Sequence, residues 1–216
     1  MKEIWINDKI SCIEGSEFPL SGDIGIIREG NARWLYDVGN GEDKMAALSK
    51  SCNVVLSHFH PDHIGNIGRA AAKNIYLSKE TYAHLPKEVL AASCIHIVTT
   101  PICIDNLYIF TLPSSHAKGC LGLEIDGMYA FVGDALYCKT KKDSCVYNAQ
   151  LLQEEIKVLK KLSAEFLLVS HWKGLVRSKT EVLAELEAIY ASRTKESHEI
   201  VMEQTQKNAE KSATNG

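Results

Sequence analysis

Short apolar runs separated by turn residues fill the first part of the chain. Ile4 to Ile6, Ile24 to Arg28 and Arg33 to Val38 read as strands, with connections rich in Gly, Pro and Ser between them. The segment Glu14 to Gly22 carries Phe18 and Leu20, apolar side chains without an evident core position, and reads either as a flap over a site or as a hairpin tip packed on its own strands. A short helix is predicted from about Asp43 to Ser49. Asn53-Val54-Val55-Leu56-Ser57 is then apolar without alternation, the pattern of a strand covered on both faces. Helical segments follow at residues 66–72 and at Lys79 to Ala92, the latter interrupted at Pro86, with a strand from Asn74 to Ser78 between them.

Strand-like runs return at Cys94 to Val98, Leu107 to Leu112, Cys120 to Ile125 and Met128 to Val132. From Ala149 to Leu162 the apolar positions Leu152, Ile156 and Leu159 switch to a helical period, as do Val182, Leu186 and Ile189 in the last helix, whose opening Ser178-Lys179-Thr180-Glu181 has the spacing of a capping box. Phe166 to Ser170 between them is a buried strand. The expected organisation is one domain over residues 1–192. Residues 193–216 are polar and lack aromatics, and read as a frayed helix passing into a flexible tail in which only Ile200, Val201 and Met202 have the character to pack.

An apolar content of 45% and a charged content of 24% over 216 residues are those of a globular chain, and the formal charge of −3 supplies no basic field for nucleic acid. No stretch reaches transmembrane length, and the amino terminus has charges where a signal peptide needs an apolar run. Seven Cys at irregular positions, none in a Cys-x-x-Cys motif, predict reduced thiols in a cytoplasm.

The chemistry concentrates in His58-Phe59-His60-Pro61-Asp62-His63. His58 and His60 have the two-residue period of an extended chain and face one side, while Asp62 and His63 follow where the backbone turns, so one segment can face two adjacent ions. A regularity of placement extends it. Four times an apolar run ends in a small residue followed by a metal-ligand type: Ser57 then His58, Ser115 then His116, Gly133 then Asp134, Ser170 then His171. Binding groups collect beyond strand ends, and small residues there let backbones approach closely. The seven side chains His58, His60, Asp62, His63, His116, Asp134 and His171 suffice for two ions if one carboxylate is shared, and imidazole with carboxylate suits zinc first, then iron or manganese. His84, His96 and His198 are read as ordinary surface or core residues, and Cys120 and Cys138 are not read as ligands. Lys118, Trp172, Lys173 and the basic run from Lys139 to Lys142 are either solvated or an anion-attracting rim.

This set, preceded by Asp37-x-Gly39, resembles the motif set of the metallo-β-lactamase-fold hydrolase superfamily over about residues 20–192. The resemblance implies an α/β fold, an αβ/βα four-layer sandwich with its site on one edge. It assigns His58, His60 and His116 to a first metal, Asp62, His63 and His171 to a second, and Asp134 to both. Asp37 takes the acidic position that orients the ligand loop. Asp134 stands where one β-lactamase subclass has a thiolate, and His60 where the flavodiiron oxidoreductases have an acid; the helical domain of glyoxalase II enzymes and the long insert of nucleic-acid-cleaving members have no counterpart.

The implied activity is hydrolysis of a small-molecule ester, thioester, lactone or related bond by a cytoplasmic enzyme holding two divalent ions, with Asp62 aiming the attacking water. The alternatives are a phosphodiesterase, an oxidoreductase with one iron resembling persulfide dioxygenases, and a non-catalytic metal-stabilised binding module. Neither nucleic acid nor membrane is an expected partner.

Overall fold

The computed structural model describes residues 3–141, 144–194 and 197–202. Its strands are numbered β1 to β18 along the chain. One sheet has seven, in the order β1 (Glu3–Trp5), β2 (Ile10–Ile13), β5 (Ile24–Glu29), β6 (Ala32–Tyr36), β7 (Cys52–Val55), β8 (Ala72–Leu77) and β9 (Cys94–Ile97). A second has six: β10 (Ile102–Ile104), β11 (Leu107–Leu112), β12 (Cys120–Ile125), β13 (Tyr129–Gly133), β16 (Phe166–Val169) and β17 (Val176–Ser178). β3 (Ser16–Glu17) and β4 (Leu20–Ser21) form a hairpin, and β14 (Lys139–Lys141), β15 (Ser144–Asn148) and β18 (Glu199–Met202) a small third sheet.

The two large sheets pack face to face. Their shared core joins Ile27, Tyr36 and Val55 of the first to Ile109, Leu123, Phe131 and Leu168 of the second. Strand alternation divides the work: in β16, Leu168 faces this core while Leu167 and Val169 face outward beneath helices α5 (Ala149–Lys161) and α6 (Lys179–Ala191). On the other side α1 (Met45–Leu48) and α4 (Lys87–Ala92) cover the first sheet through Leu48 and Val89. The architecture is therefore helix, sheet, sheet, helix, an αβ/βα sandwich. α5 forms where the apolar period predicts: Leu152, Ile156 and Leu159 are buried, each by roughly 1.5–3 kcal/mol of hydrophobic burial, and Asn148 caps it by accepting from Leu151 N at 3.0 Å.

Several elements differ from expectation. Residues 66–72 contain one 3₁₀ turn, Ile67–Arg69, because β8 already begins at Ala72; the interrupted helix resolves into α3 (Lys79–Tyr82) and α4 on either side of Pro86. Ser178 is the N-cap of α6 but makes no side-chain capping bond. Glu14 to Gly22 is a hairpin whose tip residue Phe18 is 92% exposed. The stretch expected as a frayed helix supplies β18, which pairs with β15 and buries Ile200 against the core, since β15 offers a free edge to an Ile-Val-Met run. The rest of the expected tail, 203–216, lies outside the described residues.

The expectation of reduced thiols throughout is corrected at one pair: Cys138 and Cys145 form a disulfide, because the β14–β15 hairpin folds Cys145 back until the Cα atoms are 5.5 Å apart. Cys12, Cys52, Cys94, Cys103 and Cys120 are free. Among the described residues no helix is long and apolar enough to cross a membrane.

Candidate metal centre

All seven expected donors meet on one edge of the sandwich. β6 and β7 run parallel in the first sheet, and β11, β13 and β16 run in one direction in the second, so the segments leaving their carboxyl ends converge there. β7 leads into Ser57-His58, and the short α2 (Pro61–Ile64) follows with His60 at its N-cap. His116 follows β11, Asp134 follows β13 and His171 follows β16. Three of these exits turn through left-handed backbone, at Asp37 (φ 61°), Gly133 (φ 55°) and His171 (φ 60°). At Gly133 a side chain is excluded on space as well, since a Cβ would meet Ser57 Cβ at 2.9 Å.

Two groups of donors result, His58 with His60 and His116, and Asp62 with His63, Asp134 and His171, the ligand atoms within each lying within 4.8 Å of one another. His60 Nδ1 stands 3.0 Å from both His58 Nε2 and His116 Nε2. Asp134 reaches both groups: its Oδ1 is 3.3 Å from His63 Nε2, and its Oδ2 is 3.4 Å from His116 Nε2 and 3.7 Å from His171 Nε2. Asp62 Oδ2 closes the second group, 3.1 Å from His171 Nε2 and 3.5 Å from His63 Nε2.

Behind the donors, Asp37 is fully buried and occupied on both oxygens. Ser57 N donates to Oδ1 at 2.7 Å, while Ser57 Oγ and His63 Nδ1 lie 2.7 Å from Oδ2, and His58 Nδ1 lies 2.9 Å from Ser57 Oγ. A carboxylate only accepts, so Ser57 Oγ–H donates to Asp37 and must accept from His58 Nδ1–H; His63 Nδ1–H likewise donates. Both rings then turn Nε2 toward the centre, and on His58, which burial keeps neutral, that nitrogen is a bare lone pair. Among the described residues His63 Nε2 and Asp134 Oδ1 are buried and make no hydrogen bond, facing each other at 3.3 Å, an arrangement a protein interior avoids unless a ligand completes it.

The electrostatics agree with a cation at this place. Burial, reinforced by neighbouring imidazoles, holds His58 neutral, and burial also lowers His60 and His116. In the second group burial opposes charge on His63, yet Asp37 and Asp134 overcome it and raise its pKa. Burial likewise works against an ionised Asp62, but His171 and His63 bring it down to about 2. The donor set of imidazole and carboxylate without thiolate fits zinc, iron or manganese.

Two contributors carry no signal in the sequence. Asp23 fixes the His171 turn, its Oδ2 accepting from His171 N at 2.8 Å and its N donating to Ser170 Oγ at 3.0 Å. Tyr137 donates to Ser170 O at 2.7 Å from the opposite side. The small residues before each donor also acquire roles, Ser115 Oγ accepting from Asn148 N at 2.9 Å. Of the rim residues, Trp172 is half-buried with Arg177 over its ring at 4.1 Å, and Lys139, Trp172 and Lys173 line a cavity of about 1560 Å³ above the donors. His84 stacks on Phe59 beside the donor segment without joining either donor group, and His96 stacks on Tyr76.

No family model and no curated protein matches the chain. Solved structures do. DIM-1 metallo-β-lactamase is 10% identical, with a TM-score of 0.66 over 89% of this chain and 98% of that one. The metallo-β-lactamase FIM-1 from Pseudomonas aeruginosa, in a mono-zinc form, is 14% identical, with a TM-score of 0.65 over 89% and 96%. The chemotaxis sensor ODP, described with a peroxy diiron species, is 13% identical, with a TM-score of 0.64 over 90% and 96%. The chain has the metallo-β-lactamase fold.

Proposed function

We propose that this chain is a metal-dependent hydrolase of a small-molecule ester, thioester or lactone, working in the cytoplasm with two divalent ions, zinc first. The observation that carries the reading is the pair of donor groups sharing Asp134, with His63 Nε2 and Asp134 Oδ1 left buried and unpartnered at their junction. His58, His60 and His116 would hold one ion, Asp62, His63 and His171 the other, and Asp134 both. Such ions, when bound, make water acidic enough to attack near neutral pH and polarise the carbonyl under attack.

The chain's own residues supply position. Asp62, kept ionised, accepts a hydrogen bond from the attacking water and directs its lone pair at the carbonyl carbon; the water oxygen bonds to that carbon, the bond to the leaving oxygen or sulfur breaks, and the leaving group takes up a proton. Asp37 holds the rings of His58 and His63 through Ser57 and directly, so the donors do not reorganise when substrate enters. Asp23 performs the same service for His171.

A redox reading has one specific support, the diiron description of ODP, and a phosphodiesterase is the weaker hydrolytic option. Elemental analysis of the purified protein, run with a panel of thioesters, lactones, β-lactams and phosphodiesters and with oxygen uptake, separates them. The expected result is about two metal ions per chain and turnover of an acyl substrate. Two bound ions with no hydrolysis across the panel, and oxygen consumption instead, would sink the proposal.

A further inference from the structure

Among the described residues nothing closes the sandwich along the edge where β1 and β17 border one cavity. Ile4 pairs with Cys12 and Val176 with Leu168, and both Cys12 and Leu168 belong to the core between the sheets, so Ile4 and Val176 point into that same layer. Tyr129 and Phe166 alternate with it in register too, their rings stacked at 5.6 Å. Side chains in that layer are ordinarily buried. Here Ile4, Ile6, Tyr129, Phe166 and Leu175 are only half-buried, and Val176 is 37% exposed.

The opening is continuous with the metal centre. All six of these residues line the same cavity as His60, Asp62, His116, Asp134 and His171. Tyr129 at the start of β13 and Asp134 just past its end both border it, so it reaches from one end of that strand to the other, about 13 Å at ~3.3 Å per residue. Packed sheets stand about 10 Å apart, so whatever enters is flanked by apolar surface above and below.

We propose that this slot holds the unbranched apolar tail of the substrate, so that the compound cleaved is an acyl ester or thioester with a medium-length chain. The inference rests on the hydrolase reading for the position of the carbonyl, at the donor groups; the slot is where the acyl chain of such a molecule continues. A polar substituent gains nothing from this lining, whereas each methylene moved from water into it adds about fourfold in affinity.

The test uses the purified full chain and straight-chain carboxylic acids from acetate to dodecanoate, with binding read from tryptophan fluorescence, since Trp5 and Trp172 both line the cavity. Thioesters of the same acids are assayed in parallel. Affinity is expected to climb about fourfold per methylene until the slot is full, with kcat/KM rising alongside, and Val176→Asp is expected to flatten both series. If that variant does not fold, the wild-type series decides alone. Equal binding of acetate and decanoate overturns the proposal, as does a dimer in sedimentation whose formation excludes decanoate, which would give the slot to a second copy. Hydrolysis with flat binding removes the slot and keeps the hydrolase; graded binding without any hydrolysis does the reverse.

Discussion

Gly22 offers a way to disable one half of the centre without touching a donor. Its N–H donates to Asp62 O at 2.9 Å, and a Cβ at this position would lie 2.7 Å from Cε1, 2.9 Å from Nδ1 and 3.0 Å from Nε2 of His63. Moving from 2.7 Å to the 3.4 Å of ordinary contact requires about 0.7 Å, and the ring has nowhere free to go, being fully buried with Nδ1 held by Asp37 at 2.7 Å. Metal–ligand distances tolerate about ±0.2 Å, so Gly22→Ala should displace Nε2 by some three times that tolerance. The expected cost is roughly 1–3 kcal/mol of overpacking in stability and about 10–100-fold in affinity at the second ion, while the site of His58, His60 and His116 keeps its metal. Titration against a competing chelator, with metal content by mass spectrometry, should show two ions in the wild type and one retained tightly in the variant. Two ions at undiminished affinity in Gly22→Ala would refute the geometric reasoning, because the ring would then have yielded without consequence.

Asp37→Asn keeps the shape but turns one oxygen into a donor facing His63 Nδ1 and Ser57; affinity for the second ion should drop about 10–100-fold in the same titration, and an unchanged isotherm would remove Asp37 from the positioning chain. Glu155 is buried in α5 with neither carboxylate oxygen partnered among the described residues, and burial raises its pKa well above 4.5. An acid whose folded pKa is raised contributes its full stability below the unfolded value and loses it as pH climbs toward the folded one, by up to about 1.4 kcal/mol per pH unit. Glu155→Met should therefore gain over the wild type in chemical denaturation as pH rises from 4 to 8, and an equal difference at both ends would contradict the burial argument.

What the amino-acid sequence determined by itself is short-range. The His58 to His63 segment shows its chemistry because two-residue spacing followed by a turn orients side chains with no help from the rest of the fold, and the apolar runs ending in Ser57, Ser115, Gly133 and Ser170 mark which strand ends carry a donor. The period of α5 is legible for the same reason. Tertiary structure alone decided that Asp23 fixes a turn 148 residues away and that Gly22 abuts His63. Those contacts depend on sheet register and on which strands become neighbours, which side-chain periodicity does not encode. The Cys138–Cys145 bond and β18 escaped for the same reason: each exists because a hairpin edge returned beside its partner. The open seam between β1 and β17 is the extreme case, since the apolar character of its residues says nothing of their cover, and only the packing of two sheets leaves them half-covered.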